Sequence, residues 1–122
     1  MRFQIAVTRR FSAAHQLRLY DGSLEEIHGH NWVVEVTVGA PKLDSIGVVM
    51  DFHELEAQLD RLISPFHNHH LNNTPPFDGL NPTTELIAQY VGDGLKLPQS
   101  VALVQVKVWE TPDDAAVYVG GA

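Results

Sequence analysis

Apolar and polar residues alternate from Arg2 to Phe11, with Phe3, Ile5 and Val7 on one face and Gln4, Ala6 and Thr8 on the other. That period of two belongs to a half-buried strand. A second strand, Asn31 to Val38, places Trp32, Val34, Val36 and Val38 together, and an unbroken run extends that face back through His30 and His28. Between them, Gln16 to Ile27 holds the turn signal Tyr20-Asp21-Gly22-Ser23. After Pro41 and a short extended piece, the period changes to that of a helix. Phe52, Leu55, Leu59, Leu62 and Ile63 share one side, Asp51 is the N-cap, and His53, Glu54, Glu56, Gln58 and Asp60 face water. Pro65 closes this helix, and the histidine-rich stretch from Phe66 to Asn72 leads into a loop around Pro75-Pro76. Asn81-Pro82 predicts an N-cap and first helical position for a second helix reaching about Leu95. Strands from Val101 to Glu110 and from Ala115 to Val119 finish the chain. The order ββααββ predicts an α+β fold, a four-stranded antiparallel sheet with both helices on one face.

The last long strand is apolar on both sides. Ala102, Val104, Val106 and Val108 form one row, and Val101, Leu103 and Trp109 interrupt the other, which predicts burial of the second face in a homo-oligomer. With 122 residues, the chain 1–122 is one domain, small for an enclosed pocket unless subunits share it. A net charge of −7 with scattered Lys and Arg argues against nucleic acid, and Arg9-Arg10 reads as a solvated strand end. Neither a long apolar run nor a charged-then-apolar leader is present, so the expectation is a cytoplasmic protein with no membrane partner. Cysteine is absent, which removes thiolate chemistry altogether.

The candidate chemistry lies at the strand ends. His28 and His30 stand one residue apart and so point the same way on an extended chain. His15 ends the preceding strand-like run, and three imidazoles with an open fourth position are a common way to hold a catalytic zinc. Glu110 continues the parity of Val104, Val106 and Val108, placing a carboxylate at the end of an apolar row. Such an acceptor suits the paired N–H donors of a pterin-like or guanine-like ring; otherwise Glu110 turns out into water at a fraying strand end.

Taken together, Phe11-Ser12-Ala13-Ala14-His15, His28-Gly29-His30-Asn31, Met50-Asp51-Phe52, Leu71-Asn72, Asn81-Pro82-Thr83-Thr84-Glu85 and Glu110 resemble the 6-pyruvoyl- and 6-carboxy-tetrahydropterin synthase family. The resemblance runs in order along nearly the whole chain. It implies the tunnelling fold, with subunits joined as trimers that stack into hexamers and sites lying between subunits. It also implies that His15, His28 and His30 bind zinc, that Glu110 anchors a pterin, and that Thr83, Thr84 and Glu85 lie near the ring. The two threonines are equally readable as hydroxyls serving a helix N-terminus. In the family, the zinc holds the side-chain oxygens of dihydroneopterin triphosphate and acidifies a neighbouring C–H.

The proton-transfer groups depart from the family pattern. Leu24 stands where the catalytic cysteine is expected, and Phe66 followed by His67 and Asn68 replaces the Asp-His pair. Some relatives instead carry a glutamate three residues before His-Gly-His, where Glu25 stands here, and release 6-hydroxymethyl-dihydropterin. Glu25-Glu26 is also readable as an acidic surface pair. The first reading is therefore a pterin-binding, homo-oligomeric zinc protein without the usual cysteine-dependent reaction. The alternatives are an active lyase using Glu25, His67 or His69 as base, and a non-catalytic ligand-binding or assembly protein.

Overall fold

In the computed structural model, which describes residues 1–121, the alternating segments form two long strands, β1 (Phe3–His15) and β2 (His28–Ala40). They pair antiparallel without a break from Phe3↔Ala40 to His15↔His28. The histidines thus continue the apolar face of β2, as its parity implied. A two-residue strand, β3 (His69–His70), lies on the outer side of β1, and β4 (Ala102–Thr111) and β5 (Asp114–Val119) complete the sheet in the order β3-β1-β2-β4-β5. Helices α1 (Phe52–Ile63) and α2 (Thr84–Gly94) cover one face, α1 packing on β1 and α2 on β4 and β5.

The fold is α+β as expected, but the sheet has five strands and is mixed, because β3 runs parallel to β1. Asn68 causes this. It adopts φ 60°, turning the chain, and its N–H donates to the Ser12 carbonyl at 2.6 Å, laying the next two residues along the β1 edge. Asparagine tolerates the left-handed region better than most residues do.

Between sheet and helices, Phe11, Trp32, Val34, Val36, Val106 and Val108 meet Leu55, Leu59, Ile87 and Val91 in a buried core. Burying a large apolar side chain contributes about 1.5–3 kcal/mol. Gly92 permits close approach of α2 to β5, since a Cβ there would come within 2.6 Å of the Tyr118 ring. The period-two reading of β4 fails in its first half. A register shift between Thr37 and Val38 of β2, opposite Gln105 and Leu103, breaks the alternation, so that Ala102 is exposed while Leu103 packs on the core.

Both helices differ locally from expectation. Asp51 caps α1 by accepting from the His53 N–H at 2.8 Å, but Phe52 is exposed and Gln58 is buried. The Gln58 amide donates to the Lys96 carbonyl and accepts from the Lys96 N–H, behaving like a strand neighbour and so satisfying its buried polar atoms. Helix α2 begins at Thr84, later than Asn81-Pro82 suggested, because Thr83 is the cap and its hydroxyl accepts from the Leu86 N–H. Arg9 lies inside β1, where it pairs with Glu56 and Asp60 of α1 at 2.9 and 2.8 Å, rather than at a solvated strand end. Among the described residues, no helix is long and apolar enough to cross a membrane.

Candidate metal centre and active site

Where β1 meets β2, strand register brings His15 opposite His28 and Ala13 opposite His30. The three imidazoles stand on the helix-facing side, with Trp32 beneath His15 and His30 at ring separations of 4.9 and 5.3 Å. The Trp32 indole N–H donates to the Ala13 carbonyl and fixes that floor. His15 Nε2 lies 3.0 Å from His28 Nε2. Glu110, continuing the apolar row of β4, brings its Oε1 within 3.1 Å of His15 Nε2 and 3.5 Å of His30 Nε2. One atom from each of His15, His28, His30 and Glu110 falls within 4.8 Å of all the others.

Backbone carbonyls set the protonation of two of these rings. His15 Nδ1 donates to the Pro82 carbonyl at 2.8 Å, and His28 Nδ1 donates to the Glu26 carbonyl at 2.9 Å. Each ring then presents an Nε2 lone pair to the centre, as a metal ligand must. His30 Nε2 is buried with no hydrogen-bond partner, and burial pushes the His30 pKa down, against the pull of Glu110 in the other direction. The neutral ring is the form that ligates. Two lone pairs 3.0 Å apart repel unless a cation or proton lies between them. Metal–ligand bonds of about 2.0–2.1 Å place neighbouring tetrahedral ligands about 3.3–3.4 Å apart, and the observed separations of 3.0, 3.1 and 3.5 Å lie to either side of that value. The donor set therefore fits a metal ion.

Glu25 belongs to the rim of this centre. Its carboxylate accepts from the Leu17 N–H at 3.0 Å and sits 3.6 Å from His28 Nε2, half-buried, whereas Glu26 is exposed. Two asparagines that carried no chemical role in the sequence hold this segment. Asn72 Oδ1 accepts from the Gln16 N–H and its amide donates to the Gln16 carbonyl; Asn81 exchanges the same pair of bonds with Arg18. Each amide replaces a missing strand partner. Gln16 then donates to the Glu25 carbonyl at 3.2 Å, so both asparagines position the chain that carries Glu25. Their only signal in the sequence is an Asn following Leu71 and another preceding Pro82.

The remaining candidates are outside the mutually close set. Thr83 spends its hydroxyl on the α2 cap, Thr84 opens the helix and Glu85 is exposed. Leu24 is exposed and only bridges back to Arg18. His67 Nδ1 accepts from the Ser12 N–H at 3.1 Å, which leaves its proton on Nε2 and makes it a donor rather than a base. His69 is the reverse. Its Nδ1 donates to the His67 carbonyl at 2.7 Å, leaving an exposed Nε2 lone pair.

Comparison with known proteins agrees with this architecture. The 6-pyruvoyl tetrahydropterin synthase family matches residues 4–121. A 6-carboxy-5,6,7,8-tetrahydropterin synthase from Synechocystis is 35% identical over 113 residues, covering 88% of this chain and 86% of that protein. A dihydroneopterin monophosphate aldolase from Pyrococcus furiosus is 34% identical over 113 residues, covering 90% and 91%. The 6-pyruvoyl tetrahydropterin synthase of Caenorhabditis elegans superposes with a TM-score of 0.81 at 24% identity, covering 98% of this chain and 96% of that one. A two-layer α+β fold with a histidine centre at the strand ends defines the class. The chain belongs to the 6-pyruvoyl tetrahydropterin synthase family.

Proposed function

We propose that the protein is a zinc-dependent pterin lyase in which Glu25, not a thiol, moves the proton. The observation that carries this reading is the half-buried Glu25 carboxylate, held by the Leu17 N–H and aimed at the histidine centre 3.6 Å from His28 Nε2. With no cysteine in the chain, formation of 6-pyruvoyl- or 6-carboxy-tetrahydropterin by the thiol route is closed to it. His15, His28 and His30 hold the zinc, which supplies Lewis acidity toward side-chain oxygens of the substrate.

The substrate is a dihydroneopterin or its phosphate ester, and the bond cleaved is C1′–C2′ of the C6 side chain. Glu25 takes the proton of the 2′-hydroxyl; the C2′–O bond becomes a carbonyl as C1′–C2′ breaks, and the electron pair is delocalised into the C6=N5 unit. Returning the proton to C1′ gives 6-hydroxymethyl-dihydropterin and a glycolaldehyde. Atoms balance without an oxidant. The similarity to an aldolase, at an identity close to that with the carboxy-synthase, supports this class of reaction. His69, whose Nε2 is free to accept, is the alternative base. Glu110 offers the carboxylate for the ring N–H pair. Homo-oligomeric assembly as a trimer or hexamer completes the pocket, and the exposed Val117 and Val119 of edge strand β5 suit burial against another copy.

The test follows product formation from dihydroneopterin and its phosphate esters by wild type and Glu25→Gln, with zinc content measured in both. Wild type should release 6-hydroxymethyl-dihydropterin, and the variant should lose about 10²–10⁴-fold in kcat while keeping its zinc. Undiminished turnover in the variant, or 6-pyruvoyl- or 6-carboxy-tetrahydropterin as the wild-type product, would overturn the assignment.

A further inference from the structure

The geometry points to Glu110 as a fourth metal ligand when no pterin is bound, so that pterin capture, by drawing Glu110 away, opens the metal to substrate. This rests on the zinc reading above and adds a role for Glu110 that a ring anchor alone does not have. An anchor needs only to stand in the pocket. Glu110 Oε1 instead lies 3.1 Å from His15 Nε2 and 3.5 Å from His30 Nε2. With His15 Nε2 3.0 Å from His28 Nε2, these spacings fall around the separation of about 3.3–3.4 Å between neighbouring ligands on one tetrahedral zinc.

The protonation pattern selects the same arrangement. The bond to the Pro82 carbonyl leaves His15 Nε2 with a lone pair, so it and a Glu110 oxygen are two acceptors facing each other. The buried His30 Nε2 likewise has no hydrogen-bond partner. A single cation shared by all four atoms satisfies every one of them. Glu25 does not compete for this place. It meets His28 alone and is outside the mutually close set.

A closed four-ligand site suits structural zinc, whereas catalysis needs an open position. Glu110 reconciles the two, since its carboxylate cannot both complete the metal's ligand set and accept two N–H bonds from a pterin ring. Metal and ring thus draw on one carboxylate. A ring without side-chain oxygens removes a ligand and supplies none, so it should weaken metal binding, and by linkage metal should weaken its binding equally. Neopterin, which carries side-chain hydroxyls, can replace the ligand it removes. Free enzyme is thereby kept from exposing a reactive metal to water or to other anions.

Cobalt(II) substitution tests this without reference to turnover. The wild-type protein loaded with cobalt should show the intense visible bands of a four-coordinate site with a carboxylate ligand. Saturating pterin unsubstituted at C6 should change those bands and lower cobalt affinity, while neopterin should change the bands with a smaller loss of affinity. Glu110→Gln should lower cobalt affinity at least about tenfold, the loss caused by removing even an outer partner of a ligand. It should also abolish the response to pterin, and Glu25→Gln should leave the pterin-free bands in place. Bands and affinity unchanged in Glu110→Gln, or wild-type bands unmoved at saturating pterin, overturn the proposal while leaving the three-histidine site standing. A wild-type protein that binds neither cobalt nor zinc would sink the zinc reading as well.

Discussion

Six of the seven histidines fall into two groups, with His53 alone on α1, and the groups behave in opposite ways. At the paired ends of β1 and β2, His15 and His28 give their Nδ1 protons to backbone carbonyls and turn their Nε2 atoms inward, where His30 and Glu110 meet them. In the segment from His67 to His70, the rings bond to nearby backbone or side-chain atoms and do not converge. Residue type is the same in both. The difference lies in strand register, which aligns three side chains on one face, and in which ring nitrogen the backbone has already engaged. Density of histidine in a sequence is a poorer guide to a metal centre than shared parity on neighbouring strands.

The two groups should differ most in metal affinity. His15→Ala should weaken zinc binding by more than about 100-fold, because loss of an outer partner alone costs about 10–100-fold. His69→Ala should leave zinc affinity unchanged, and isothermal titration of both variants checks the contrast. A comparable loss in the two would erase the distinction.

Turnover should distinguish the loop histidines from one another. His67→Gln should change kcat less than about threefold, since its lone pair is engaged by the Ser12 N–H. A loss of about 10²-fold or more in His69→Gln, with zinc retained, would move the base from Glu25 to the loop.

A third variant tests the support around the centre. Asn81→Ala removes both bonds to Arg18 and should cost about 1–3 kcal/mol of stability. Urea unfolding measures this, and turnover should fall in the folded variant because the Gln16-to-Arg18 segment braces Glu25. An unchanged midpoint would mean that the segment is held without Asn81.

The smallest effect is on pH dependence. Burial lowers the His30 pKa in the folded protein from its ordinary 6.5, so the unfolded chain binds this proton more readily. In the metal-free protein, the stability associated with neutral His30 should be complete above about pH 6.5 and decline as pH falls through the depressed value. Unfolding midpoints of metal-free wild type and His30→Asn between pH 5 and 8 should converge on the acid side. Parallel curves would show that His30 makes no such contribution.

Much of this was legible before any fold. Period-two alternation located β1, β2 and most of β4, the helical period with Asp51 located α1, and parity alone placed His28, His30 and Glu110 on the faces they occupy. Those signals are local, because a strand's two faces are set by its own backbone. Other features depend on partners far along the chain. The β4 bulge inverted the parity of Ala102 and Leu103, β3 exists because Asn68 meets Ser12, and Gln58 became buried because Lys96 lies opposite it. Glu25 and Glu26 are adjacent and chemically alike, yet only Glu25 finds the Leu17 N–H and the histidine centre. Backbone alternation within each strand settles which residues can share a face. Tertiary structure decided which ring nitrogen faces inward, which carboxylate joins the cluster and which asparagines hold it, because those depend on hydrogen-bond partners supplied by segments distant in sequence.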